Sequence, residues 1–185
     1  MNPVLHLDLP DWLPDLLRQH QHCRDDEDKV RLAIELAHEN VHRHSGGPFG
    51  AVIFDQDDRV VAAGVNRVVP MNCSTAHAEM MAFMFAQRQL GRFRLNSDGN
   101  RYTLATSAQP CAMCFGGSLW AGIDRLLIGA RGSDVEELSD FDEGPLPEDW
   151  VGELRRRRIE VVADILRDQA RGVFERYRDS AGVHY

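Results

Sequence analysis

The stretches Ser74-Thr75-Ala76-His77-Ala78-Glu79 and Gln109-Pro110-Cys111-Ala112-Met113-Cys114 decide how this chain folds and what chemistry it can hold. Each stands at the predicted start of a helix. Ser74 or Thr75 suits an N-cap, and Pro110 is at home around the first helical position. Cys111 and Cys114 are three residues apart, so their sulfurs share a helix face, and a helix N-terminus favours the thiolate that binds metal. His77, in the first turn of the neighbouring helix, supplies a third ligand. One histidine and two cysteines leave a fourth tetrahedral position open for water, the arrangement of a catalytic rather than a structural zinc. Glu79 is placed to act on that water without ligating the metal. A lone His-Ala-Glu carries no information, and a lone C-x-x-C is equally a redox dithiol. The two half-motifs together, in this order and with proline before the first cysteine, are far more specific.

A second stretch competes for the metal. His38-Glu39-Asn40-Val41-His42 fits the HExxH pattern of zinc peptidases, with two histidines one turn apart and a glutamate as general base. Ser45 and Pro48 occupy the positions where a third-ligand motif needs glycine and histidine. His38 only flanks the apolar stripe of its helix, and His42 lies further toward solvent. HENVH is expected to be a chance match.

Around these motifs, strands alternate with helices. A short amphipathic helix is expected near Trp12–Leu17 and a strong one over 25–44. In the latter, Val30, Ala33, Ile34, Ala37 and Val41 form a core-facing stripe. Leu32 and Leu36 lie on the opposite side, which gives residues 1–24 the task of covering them. Strands are predicted at 49–55 and 59–64, joined by a polar turn, and then a buried helix from Thr75 to Leu90. Residues 91–100 read as a loop. Next come a strand at 102–107, a helix at 111–121 and a strand at 124–130. An irregular acidic stretch is expected over 131–147. A helix at 148–157, a strand at 159–165 and a helix at 166–178 complete the chain. This alternation predicts a three-layer α/β domain. The division is an N-terminal extension (1–24), a catalytic domain (25–178) and a C-terminal tail (179–185).

Composition narrows the partners. With 185 residues, 43% hydrophobic and 27% charged, the chain fits one ordinary globular domain. No run of 18 apolar residues could span a bilayer. The N-terminus has no basic segment followed by a long apolar one, so a cytoplasmic protein is expected. Net charge is -8, and of 21 basic residues only Lys29 is a lysine. Such a chain repels phosphate backbones unless its cations gather on one face. The one candidate patch, Arg155-Arg156-Arg157-Arg158, would spread around a helix as a solvated surface, so nucleic acid is a weak candidate partner. Four cysteines in a cytoplasmic chain do not suggest a disulfide framework.

From about residue 30 onward the chain resembles the cytidine-deaminase-like superfamily, and most of all its bacterial guanine deaminases and tRNA adenosine deaminases. GGPFGAVIF (46–54), Asn66, TAHAE (75–79), PCAMC (110–114) and LWAGIDRLLIG (119–129) carry the likeness, together with the His-x-Glu…Pro-Cys-x-x-Cys pattern of zinc deaminases of nucleobases. The resemblance implies an α-β-α sandwich around a five-stranded mixed sheet with its last two strands parallel. It implies one zinc per subunit, a homodimer, and hydrolytic deamination of a free nucleobase. Guanine, converted to xanthine plus ammonia, is the first choice because Phe141-Asp142-Glu143 resembles a segment that brings a second carboxylate to the site of guanine deaminases. A tRNA adenosine deaminase, or a deaminase of cytosine, a pterin or a triazine-like ring, is the alternative. By the same resemblance Glu79 shuttles protons and Glu143 assists. Phe49 and the His77 ring hold the base, and Asn66 and the Ala78 amide bind its edge. Tyr185 covers the site from the tail. Trp120 is a further candidate contact, though a core position suits it better. One departure is visible: Cys73-Ser74 stands where relatives commonly carry Asp-Pro.

Overall fold

The computed structural model describes residues 6–20 and 22–180. Helix α1 (Leu13–Gln19) has proline in its first turn, where no intrahelical N–H is needed. Asp25 then caps α2 (Asp26–His42) by accepting the Asp28 N–H at 2.8 Å, and three acids in the first turn suit the helix dipole. The predicted stripe of α2 is buried throughout. Leu32 and Leu36 are buried as well, in one cluster with Leu13, against which Trp12, Leu16 and Leu17 pack.

Two strands follow, β1 (Gly50–Phe54) and β2 (Val60–Val65), and then a one-turn helix α3 (Val68–Met71) and α4 (Ala78–Leu90). A 3-10 turn at Leu95–Asp98 leads to β3 (Thr103–Ala108), α5 (Ala112–Ala121) and β4 (Arg125–Ala130). The chain continues through α6 (Gly132–Leu138), α7 (Trp150–Arg156), β5 (Glu160–Val162) and α8 (Arg167–Asp179). The sheet order is β2-β1-β3-β4-β5. β1 runs antiparallel to both β2 and β3, while β3, β4 and β5 are mutually parallel.

Alternation along the strands divides the core into two layers. Val52, Phe54, Ala105 and Leu127 face a cluster that includes residues of α2 and α8. Ala51, Ile53, Leu104, Leu126 and Ile128 face the other way, into a cluster with α4, α5 and α7. The result is the expected three-layer sandwich.

Four local expectations need correction. α4 begins at Ala78 rather than Thr75, because His77 itself takes the cap position. α3 was not foreseen. The acidic stretch after β4 contains α6, which tertiary ion pairs hold in place. The Asp134 carboxylate accepts the Arg131 N–H at 2.8 Å and is clamped by Arg167 and Arg171 of α8. β5 is shorter than predicted because Asp164 has a φ of 67° and Leu166 one of 52°, which ends the extended run. The arginine run at 155–158 is exposed as expected, with Arg156 and Arg157 paired to Glu153. No helix among the described residues is long and apolar enough to cross a membrane.

Candidate active site

The carboxyl ends of β3 and β4, the start of β1 and the end of β2 all lie at one end of the sheet, the end where open α/β sheets bind ligands. His77 is the N-cap of α4 and Cys111 the N-cap of α5. Neither side chain makes a capping hydrogen bond to its own helix. They turn toward each other instead, so the His77 Nδ1 lies 3.5 Å from the Cys111 Sγ and 3.7 Å from the Cys114 Sγ. A tetrahedral zinc with ordinary Zn–N and Zn–S bonds would set these edges at about 3.6 Å. Among the described residues this is the one group of three or more potential metal ligands. The donor set and its spacing fit zinc.

α4 reaches this position by packing very close to β2. A Cβ on Gly64 would lie 2.1 Å from the Ala78 carbonyl oxygen, so only glycine admits the helix there. Glu79, in the first turn, is buried beside the ligands. Opposite it, Glu143 is buried too, and its carbonyl accepts the Ala112 N–H at 2.8 Å. That bond ties the segment after α6 to the first turn of α5. The Gln109 side chain accepts the Gly132 N–H at 3.2 Å and so joins the end of β3 to the start of α6.

Between these groups lies a cavity of about 200 Å³. Its polar wall includes His77, Glu79, Cys111 and Glu143; Phe49, Val68 and Phe141 form the apolar wall. Phe49 is itself wedged edge-on by Phe141 at 5.3 Å and Phe174 at 5.4 Å. Such a volume lies below the range for drug-sized ligands and suits a small flat molecule.

The electrostatics are those of a site short of positive charge. Burial pushes the Glu79 carboxyl up to about 7, and the Cys111 thiolate adds to the effect. Glu143 is raised to about 8, first by burial and then by Cys111 and Glu79. A hydrogen bond from Cys114 lowers the Cys111 thiol to about 4, and the reciprocal bond raises Cys114. A dication held by Cys111 and Cys114 would leave both as thiolates.

Asn66 follows β2 between two cavity-lining residues. Its N–H donates to the Phe49 carbonyl at 3.1 Å, and its Oδ1 accepts the Val68 N–H at 3.2 Å. Its Nδ2 is buried with no protein acceptor, a donor available to a ligand. Ala78 opens α4, where helical N–H groups lack an intrahelical partner. Trp120 does not fit the expectation: it is 81% exposed and lies outside both core and cavity. The buried stripe of α5 consists of Cys114, Ser118 and Ala121, and Trp120 points the other way. Tyr185 lies outside the described residues. Gln109, Val68 and Ser74 line the cavity without having been assigned a place in the site from sequence, Ser74 having been read only as a candidate N-cap. Gln109 and Ser74 belong to the quoted motifs, whereas Val68 sits on the unforeseen α3.

HENVH forms no metal site. The rings of His38 and His42 are stacked with centroids 6.2 Å apart, and Glu39 is paired with Arg43.

Residues 23–130 match the cytidine and deoxycytidylate deaminase zinc-binding region. The chain belongs to that family. Over 114 residues this deaminase is 39% identical to the guanine deaminase of Bacillus subtilis, covering 62% of this chain and 69% of that protein. A solved guanine deaminase from Nitrosomonas europaea superposes with a TM-score of 0.91 at 40% identity, covering 97% of this chain and 98% of that one. A mutant protein solved in complex with 8-azaguanine matches with a TM-score of 0.91 at 41% identity, over 97% of this chain and 99% of that one.

Proposed function

We propose that this deaminase converts guanine and water to xanthine and ammonia. The observation that carries the substrate is the near end-to-end match to the Nitrosomonas enzyme, at 40% identity and a TM-score of 0.91. The cavity agrees, since about 200 Å³ accommodates a free base far better than a nucleoside or an RNA stem. A net charge of -8 and an arginine run paired to Glu153 weigh against a tRNA substrate.

His77, Cys111 and Cys114 would hold zinc, which when bound supplies a Lewis acid that lowers the pKa of a bound water toward about 7. The Glu79 carboxylate takes a proton from the attacking water and passes it to the ring nitrogen beside C2, the amino-bearing carbon. Two buried carboxyl groups facing one cavity do not both ionise readily, so Glu79 and Glu143 hold a proton between them. That proton goes to the departing nitrogen, which leaves as neutral ammonia, and the new hydroxyl on C2 returns its own proton to the carboxyl pair as the carbonyl of xanthine forms. Phe49 and the His77 ring hold the base between them, Asn66 Nδ2 donates to a base acceptor, and the Ala78 N–H binds the same edge. Their removal from water strengthens each polar contact. The Tyr185 tail is carried here on family resemblance as a cover for the cavity.

The same family resemblance carries a cytoplasmic homodimer. The exposed Trp120 is the kind of aromatic surface that a second subunit covers. Sedimentation of the purified protein reads the oligomer directly.

An ammonia-release screen over free bases, nucleosides, pterins and triazines tests the activity. Guanine should turn over fastest and guanosine should not react. Preference for cytosine, or for adenosine within an RNA stem-loop, would replace guanine with that substrate.

A further inference from the structure

We propose that Asn40, the central residue of the HENVH stretch, is a positioning residue for the base-binding wall, and that Trp12 of the N-terminal segment holds it in orientation through Ser45. Asn40 is fully buried in α2. Its amide donates both protons, one to the Gly47 carbonyl at 2.8 Å and one to the Asn66 carbonyl at 2.9 Å. Both acceptors lead to the cavity. The Gly47 carbonyl also accepts the Phe49 N–H at 2.9 Å, and the Asn66 N–H donates to the Phe49 carbonyl at 3.1 Å. One side chain thus pins the loop bearing Phe49 and the residue whose buried Nδ2 has no protein acceptor, while neither lining the cavity nor touching the metal ligands.

The direction of these bonds is fixed from outside. The Trp12 indole is a donor only, and its Nε1 lies 3.1 Å from the Ser45 Oγ. Ser45 therefore accepts from Trp12 and sends its own proton to the Asn40 Oδ1, 2.8 Å away. With its oxygen so engaged, the amide must present its two protons to the two carbonyls. A flipped amide would set oxygen against oxygen. Gly46 leaves room for this crossing, because a Cβ there would lie 1.9 Å from the Asn66 carbonyl oxygen and 2.6 Å from the Asn40 Nδ2. Arg67 adds a second tie, donating to the carbonyls of Ser45 and Asp8. The N-terminal segment therefore acts on the site at a distance as well as covering Leu32 and Leu36.

The kinetic part of the test rests on the guanine reading; the exchange part does not. Asn40→Ala should raise KM for guanine on the order of 10-fold with kcat within about 3-fold, since the loss falls on binding rather than on proton transfer. Zinc content should be unchanged. The Arg43 guanidinium lies over the Trp12 ring, 5.7 Å from its centroid; Trp12→Phe keeps a ring there but removes the indole proton, and should raise KM by about 3-fold. The double variant should be no worse than Asn40→Ala alone, because both changes act through one chain. Amide hydrogen exchange followed by NMR should show the Phe49 and Asn66 amides exchanging faster in Trp12→Phe while the melting temperature stays put. If Asn40→Ala does not fold, Trp12→Phe and Ser45→Ala carry the same kinetic and exchange readouts. Additive effects, an unchanged KM, or exchange that rises uniformly along the chain would overturn the proposal. A wild-type protein inactive on guanine would remove the guanine reading and leave the exchange result to decide this one.

Discussion

Replacing Gly64 with alanine drives a methyl group into the first turn of α4. An ideal Cβ would lie 2.1 Å from the Ala78 carbonyl oxygen and 2.5 Å from the Ala82 amide nitrogen, both of them backbone atoms that no rotamer change can move. Restoring ordinary contact requires β2 and α4 to part by about 1.3 Å, an overpacking strain of about 1–3 kcal/mol. The helix carries His77 at its cap and Glu79 in its first turn, so the ligand and the proton carrier move with it. A displacement of about 1 Å at a reacting centre costs about 10²-fold in rate. Gly64→Ala should therefore lose about 10²-fold in kcat/KM, bind zinc more weakly, and melt several degrees lower. Gly172→Ala on α8 is the control, because a Cβ there meets nothing within 4 Å. It should gain about 0.5–1 kcal/mol from helix propensity with turnover unchanged. Steady-state kinetics, metal analysis and thermal melts on the two variants decide the matter. Wild-type zinc content and turnover in Gly64→Ala would refute the claim that this contact places the ligand.

Glu79→Gln keeps shape and a hydrogen bond but cannot shuttle protons. It should retain zinc and bind base while losing about 10²-fold or more in kcat, and near-normal turnover would remove its assigned role. The double variant His38→Ala/His42→Ala should keep its full zinc content, and substantial loss in metal analysis would revive the peptidase motif. Hydrogen bonds from Arg167 hold the buried Asp134 carboxyl well below the usual carboxylate range. A group so lowered stabilises the fold above its unfolded pKa of about 4 and loses that contribution as pH falls through its folded value. Asp134→Asn should cost about 2–3 kcal/mol at pH 7, a figure held down by the partial exposure of both arginines. Melts taken from pH 4 downward should show the gap from wild type closing, and a constant gap would contradict the ion-pair account.

Legibility in the sequence followed the range of the interactions. The metal ligands could be read because His77 and the Cys111–Cys114 pair each sit in a short motif whose spacing is the chemistry. The stripe of α2 and the alternation of the strands are likewise local periodicities, and they gave the layers. α6 escaped because Gly132-Ser133-Asp134 has poor helical propensity and is held by Asp134 pairing with α8, more than 30 residues away. Trp120 misled because α5 is apolar on every side. Its buried stripe consists of small residues that bring it close to its neighbours, leaving the large one outside. Asn40 was hidden for a different reason. A polar residue inside a helix that resembles a metal motif draws attention to its neighbouring histidines, while its own hydrogen bonds reach residues 7 and 26 positions away.

His77 and Cys111 occupy cap positions but cap nothing. Each helix therefore begins with amide protons that its own cap residue does not satisfy, a deficit of about 1 kcal/mol per end in ordinary helices. Zinc bound by His77, Cys111 and Cys114 would tie those two beginnings together, a shared clasp for elements from separate halves of the chain. Metal uptake and the closing of the fold would then be linked equilibria. Starvation for zinc should shorten the lifetime of this protein in a cell by exposing two loosened helix starts to proteases, before any question of turnover arises.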